Sequence, residues 1–94
     1  MITWLPTAGA NQVVATGPAI LKRIIIGRDV ANGAIEVSNS KTDGDGNILV
    51  DLAGSTLMTS CGGFIEVGDV FDVGITVDLT NQTMVGFVWE PTVS

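Results

Sequence analysis

Hydrophobic and polar positions alternate along much of the chain. In Ala34-Ile35-Glu36-Val37-Ser38, Ile35 and Val37 point one way and Glu36 and Ser38 the other. In Asn47–Leu52, Ile48, Val50 and Leu52 stand against Asp51, and in Gly74–Leu79, Ile75, Val77 and Leu79 stand against Thr76 and Asp78. A period of two is the mark of a strand with one face buried and one in water, because successive side chains leave a strand on opposite sides. Three further apolar runs, Ala19–Ile26, Phe64–Val67 and Met84–Trp89, and two short ones, Ile2–Leu5 and Gln12–Thr16, predict additional strands. No segment carries the i, i+3, i+4 stripe of an amphipathic helix.

Within Ala19–Ile26, strict alternation places Ile20, Lys22, Ile24 and Ile26 on one side and Leu21, Arg23 and Ile25 on the other. Both sides are apolar at the Ile24-Ile25-Ile26 end, which predicts a strand covered on both faces, the second cover being a neighbouring subunit or a loop. Turn signals separate the runs: Pro6 with Thr7–Asn11, Gly17-Pro18, Asn32-Gly33, the polar stretch Asn39–Gly46, Gly68–Gly74 and Asn81-Gln82. Gly54–Gly63 is rich in small residues without a clean period and has room for one short strand. Seven or eight short strands with a turn about every ten residues predict an all-β fold, a small antiparallel β-sandwich or jelly roll. The chain reads as a single domain, 1–94, with residues 1–11 an arm or an edge strand.

Composition adds the expectation of partners. Of 94 residues 46% are hydrophobic and only 15% charged, against about 25% charged in ordinary globular domains. A surface so poor in charge is expected to satisfy itself against other subunits. The net charge is −6, and all four bases (Lys22, Arg23, Arg28, Lys41) fall within the first 41 residues. Nucleic acid is not an expected partner, since a phosphate backbone needs a dense Lys/Arg footprint. The Lys22-Arg23 pair suits an acidic patch on another protein. No apolar run reaches the roughly 18 residues of a membrane span, and the first residues lack the basic start of a secretion signal. Synthesis in a reducing cytoplasm is the expectation.

Catalytic chemistry has little to draw on. There is no histidine and one cysteine, and Cys61 in Ser60-Cys61-Gly62-Gly63 lacks a neighbouring base to form a thiolate. Asp43-Gly44-Asp45-Gly46-Asn47 resembles the opening of a calcium loop, with Asp43, Asp45 and Asn47 as weak ligands. Ile48 stands where such a loop needs glycine and Gly54 where it needs a bidentate glutamate, so an Asp/Gly turn accounts for the same residues. Glu66, Asp69 and Asp72 lie close in sequence, as an acid/base pair would, but read as solvated charge. Trp4 and Trp89, near the two ends, are read as closing the core or anchoring a subunit contact rather than stacking on a ligand. No catalytic residues, metal or cofactor are expected.

The order of elements carries a resemblance. Thr16-Gly17-Pro18-Ala19-Ile20-Leu21-Lys22-Arg23-Ile24 precedes the strand Gly33–Asn39. There follow the strand Asn47–Leu52, then Val70-Phe71-Asp72-Val73-Gly74-Ile75-Thr76-Val77 and a last strand rich in valine and aromatics. The pattern, Gly-Pro-x-x-Leu-x-x-Ile and later Phe-x-x-Gly-Ile-x-Val, resembles small β-sandwich virion proteins of tailed bacteriophages. These are capsid decoration (cement) proteins or components of head and tail fibres. The resemblance covers about Thr16 to Trp89 and implies a non-enzymatic protein of the virion, on the capsid surface. Its implied partners are the major capsid protein and copies of itself, in a homotrimer or, failing that, a dimer. The contacts would come from Lys22, Arg23, the Ile24–Ile26 face, Trp4 and Trp89. A carbohydrate- or receptor-binding module using Trp4 or Trp89 with acidic turns is the alternative from another class.

Overall fold

A computed structural model describes residues 1–26, 33–43, 47–53, 64–81 and 84–92. Eight strands make up the fold: β1 (Ile2–Leu5), β2 (Gly9–Ala15), β3 (Ala19–Ile26), β4 (Ala34–Ser38), β5 (Ile48–Ala53), β6 (Phe64–Phe71), β7 (Ile75–Thr80) and β8 (Val85–Pro91). They form two four-stranded sheets, β1-β8-β3-β6 and β2-β7-β4-β5, with every neighbouring pair antiparallel. Only β4 and β5 are neighbours in both sequence and sheet; every other pairing joins strands distant in the chain. This winding of eight strands into two packed sheets is a jelly-roll sandwich. The Gly54–Gly63 stretch with Cys61, Asn32 of the Asn32-Gly33 turn, and residues 44–46 with Asp45 lie outside the described residues.

The core lies between the sheets. Leu21, Ile24, Phe71, Val85 and Phe87 come from one, and Ile35, Val37, Ile75, Val77 and Leu79 from the other. Fully burying a side chain of this size contributes about 1.5–3 kcal/mol, so a double layer of them is the main force holding the sheets together. The alternation read in β4 and β7 has the expected phase: Ile35, Val37, Ile75, Val77 and Leu79 belong to the core cluster, and Val50 and Leu52 of β5 pack against it. Ile48, read as inward, is exposed, because the β4–β5 register shifts between Val37 and Ser38.

Three other local readings need correction. In β3 the register slips by one residue between Leu21 and Arg23: these two oppose Trp89 and Val88, consecutive residues of β8. Lys22 is therefore the extra residue of a β-bulge. The bulge resets the phase, so Leu21, Ile24 and Ile26 are buried, while Lys22 and Arg23 are exposed and Ile25 is half-buried on the outer face. Strict alternation had put Leu21 and Ile24 on opposite sides. Second, β6 does not stop at Val67; Gly68 adopts φ +75°, a conformation glycine accepts without strain, and the strand runs on to Phe71. Third, Thr76 and Asp78 face away from the core as expected yet are buried. Thr76 Oγ1 donates to the Ser40 carbonyl (2.8 Å), and the Asp78 carboxylate accepts from the Asn11 N–H (2.7 Å), so neighbouring segments cover that side of β7.

Asn39, just after β4, ties the β4–β5 connection to the turn between β6 and β7. Its Oδ1 accepts from the Val73 N–H (2.8 Å) and the Gly74 N–H (3.3 Å), and its Nδ2 donates to Asp72 Oδ1 (2.5 Å). Its own N–H donates to the Asn47 carbonyl (2.8 Å) across the β4–β5 connection. Gly74 is needed there for space, since a Cβ would stand 2.7 Å from the Ala15 carbonyl oxygen.

Candidate interaction surface

The outer face of the β1-β8-β3-β6 sheet gathers large apolar side chains in rows that cross the strands. Trp4 pairs with Gly86, Gly86 with Ile25, and Ile25 with Phe64, which makes one row over all four strands. The next outward row is Ile2, Val88, Arg23 and Glu66; a third is Glu90, Ile20 and Val70. Ile2 56%, Trp4 48%, Phe64 45% and Val70 59% exposed make this face unusually open for apolar residues. Single exposed apolar residues are ordinary; a contiguous set on one sheet face marks an interaction site.

Gly86 gives Trp4 its seat. A Cβ at Gly86 would lie 3.0 Å from Trp4 Cζ3 and 3.1 Å from both Cε3 and Cη2. Three adjacent ring atoms at nearly one distance mean that the indole lies face-down on the glycine, with its other face toward solvent. Any side chain at position 86 would lift it.

Charges interrupt the apolar rows in opposite-sign pairs. Lys22 Nζ lies 2.9 Å from Glu90 Oε1, and Arg23 Nη2 lies 3.2 Å from Glu66 Oε1. The Arg23 guanidinium also stands over the Phe64 ring, 5.2 Å from its centroid, a cation–π contact. The Lys22 ammonium, through its hydrogen bond first and its charge second, holds the Glu90 carboxyl below the usual range. Both pairs are exposed, so water screens them and they contribute little to the stability of the fold. All bases of the face stand on β3, and its acids on the flanking strands β6 and β8.

The opposite face differs in kind. Asp78, Glu36 and Asp51 line up across β7, β4 and β5 in one row of carboxylates.

The structure distributes the residues expected at a contact surface unevenly. Trp4, Lys22, Arg23 and Ile25 come together on the outer face. Ile24 and Ile26 belong to the core because of the bulge. Trp89 is half-buried and packs against the core, its Nε1 donating to Thr3 Oγ1 (3.0 Å). Ile2, Phe64, Val70 and Gly86 complete the surface and were not singled out from the sequence; only the strand register could group them.

Two of the weak calcium-loop residues, Asp43 and Asn47, fall among the described residues. Asp43 is exposed and its N–H donates to Ser40 Oγ (2.9 Å), while Asn47 uses its carbonyl to accept from Asn39. Asp45 lies outside the described residues, and among the described residues no three Asp, Glu, Cys or His side chains could hold a metal. Glu66, Asp69 and Asp72 are likewise dispersed. Glu66 pairs with Arg23 on the outer face, Asp69 sits opposite core-facing Leu21, and Asp72 binds Asn39. Comparison with protein-family models, with curated proteins and with solved structures finds no match to this chain.

Proposed function

We propose that this protein is a non-catalytic structural protein that works by association through the outer face of the β1-β8-β3-β6 sheet, and that its role is capsid decoration on a tailed bacteriophage. The observation that carries the reading is the open apolar face itself. The exposed parts of Ile2, Trp4, Phe64 and Val70 amount to on the order of 400 Å², which at about 25 cal/mol per Å² is roughly 10 kcal/mol of gross hydrophobic gain on docking. Lost translational freedom and side-chain ordering offset most of that, so the half-buried Ile20, Ile25 and Val88 must contribute as well. A decoration protein stabilises a shell by adding buried interface, between its own copies as well as against the capsomers. Jelly rolls serve in viral capsids and in lectins alike, so the architecture agrees with this role without selecting it. A head- or tail-fibre component would use the same face on a different assembly.

The test is addition of purified protein to phage heads that lack their decoration protein. Binding at saturating stoichiometry with a raised temperature of DNA release is expected. Failure to bind, with unchanged heat release, would overturn the decoration role.

Glycan binding is the second reading, and one observation favours it: the Trp4 ring presents a free face beside Ile25 and Phe64. Of the acidic turns it would use, Asp43/Asp45 or Asp69/Asp72, Asp72 is remote. Ile25, in the Trp4 row, is six residues along β3 from Ala19, which pairs with Phe71 next to Asp72; that is about 20 Å of strand. A glycan array with and without calcium distinguishes the two, since decoration predicts no glycan retained.

A further inference from the structure

We infer that the occupant of this apolar face is a second copy of the same chain, packed sheet on sheet about a two-fold axis parallel to the strands. The inference rests on the reading of this face as the association surface and adds the identity of the partner and its geometry. Such an axis lies between β8 and β3, the two central strands of the sheet. It sets β3 of one copy over β8 of the other and β6 over β1.

The registers then match feature to feature. Phe64 of one copy lies over Trp4 of the other, and Ile25 lies over Gly86, an outward position with no side chain of its own, beside the Trp4 ring. Lys22, on β3, comes over β8 next to the other copy's Glu90, so the two Lys22–Glu90 pairs combine into a four-membered network of alternating sign. Arg23 comes over Val88, and Glu66 over Ile2. These two stay paired within their own chain, and the aliphatic stem of Arg23 covers Val88.

The competing geometries fare worse on the same observations. A two-fold axis running across the strands would lay Lys22 near Lys22, Arg23 near Arg23 and Glu66 near Glu66, and like charges brought face to face disfavour association. A three-fold ring needs this face to meet a different surface on the neighbour. The opposite face offers the neighbouring carboxylates Glu36 and Asp51 with Val13 exposed on β2, a poorer match for an apolar partner than this face is for itself. The exposed apolar area, on the order of 400 Å², is about half of the roughly 800 Å² that each partner supplies to a standard stable interface, and the half-buried Ile20, Ile25 and Val88 and the charged stems add to it.

Charge-reversed variants mixed with each other test the inference. The wild-type mass is measured by light scattering from 1 to 200 µM, and Lys22→Glu and Glu90→Lys are measured separately and as an equimolar mixture. Wild type is expected to be a dimer. Each single variant sets like charges together twice across the axis and is expected to dissociate about tenfold more readily or worse. In the mixture every position 22 meets an opposite charge at position 90 of the other chain, so dimer mass returns, although neither chain has regained its internal pair. A monomeric or trimeric wild type, or a mixture no more associated than its components, would overturn the inference. Trp4→Ser gives an independent arm, expected to be a folded monomer by circular dichroism; a Trp4→Ser dimer as tight as wild type would also overturn it. Binding of wild type to undecorated phage heads, measured in parallel, separates failure of this inference from failure of the decoration role.

Discussion

Asn39 holds the β4–β5 connection to the turn between β6 and β7, and its replacement by aspartate is the sharpest test of that link. Asn39→Asp keeps an acceptor for the Val73 and Gly74 N–H groups but loses the Nδ2 donor that now reaches Asp72 Oδ1 at 2.5 Å. A hydrogen bond to a charged group contributes about 1.5–3 kcal/mol. Two carboxylates left roughly 3 Å apart repel by about 1.4 kcal/mol even in bulk water. Both groups can turn outward, so the lower ends apply, and a net loss of about 2 kcal/mol is expected at pH 7. For a domain this size that lowers Tm by roughly 8–16 °C.

The loss depends on pH with a definite sign. The paired carboxylates of the variant share a proton, which raises one folded-state pKa above the unfolded value of about 3.9. The folded variant then binds more protons than the unfolded chain between those two values, so its deficit is complete above the raised pKa and shrinks as the pH falls toward about 4. Asn39→Ala removes all three side-chain bonds and creates no new charge, so its deficit should not shrink in that window. Urea unfolding followed by tryptophan fluorescence at pH 7, 5.5 and 4, each variant set against wild type, measures both. An Asn39→Asp midpoint equal to wild type at pH 7, or a deficit that tracks Asn39→Ala across the series, would refute the reasoning.

The β3 bulge predicts opposite fates for adjacent residues. Ile24→Asp buries an unpaired carboxylate in the core, costs about 4 kcal/mol or more and abolishes the folded dispersion of amide resonances, while Ile25→Asp remains folded and monomeric. Gly86→Ala is expected to lift the Trp4 indole from its seat, altering near-ultraviolet circular dichroism and weakening dimerisation, while far-ultraviolet spectra stay unchanged. Lys22→Met should raise the Glu90 pKa toward the ordinary glutamate range in an NMR titration, since Lys22 is the first cause of its depression. The lowered Glu90 pKa favours the fold above the unfolded-state value, and that contribution disappears as the pH falls through the folded-state value.

Much of the fold is legible in the residues because binary alternation reports burial directly. Ile35, Val37, Ile75, Val77 and Leu79 needed nothing beyond a period of two. The phase of β3 was not legible, because Leu21-Lys22-Arg23-Ile24 satisfies alternation as well as a bulge does. Only the partner strand, with Trp89 and Val88 consecutive, reveals the extra residue. The burial of Thr76 and Asp78 was hidden for a related reason, since their covers come from Ser40 and Asn11, distant in sequence. The interaction surface was half legible. Trp4 and the Lys22-Arg23 pair are conspicuous by residue type, but their grouping with Phe64, Ile2 and Val70 is a product of strand order, which turn spacing does not encode.

That strand order also sets a schedule for the newly made chain. β8 is the neighbour of both β1 and β3, so until the last strand has been synthesised β1 has no place in a sheet and β3 has only β6 beside it. Trp4 cannot lie on Gly86, nor Lys22 meet Glu90, before then. Such distant pairings also fold slowly, in milliseconds to seconds, because chain entropy must be given up before the contacts form. If copies join through this face as proposed, the surface therefore forms only after β8 has been made and paired. Nascent chains without β8 would lack it, and the strand order would guard against premature assembly.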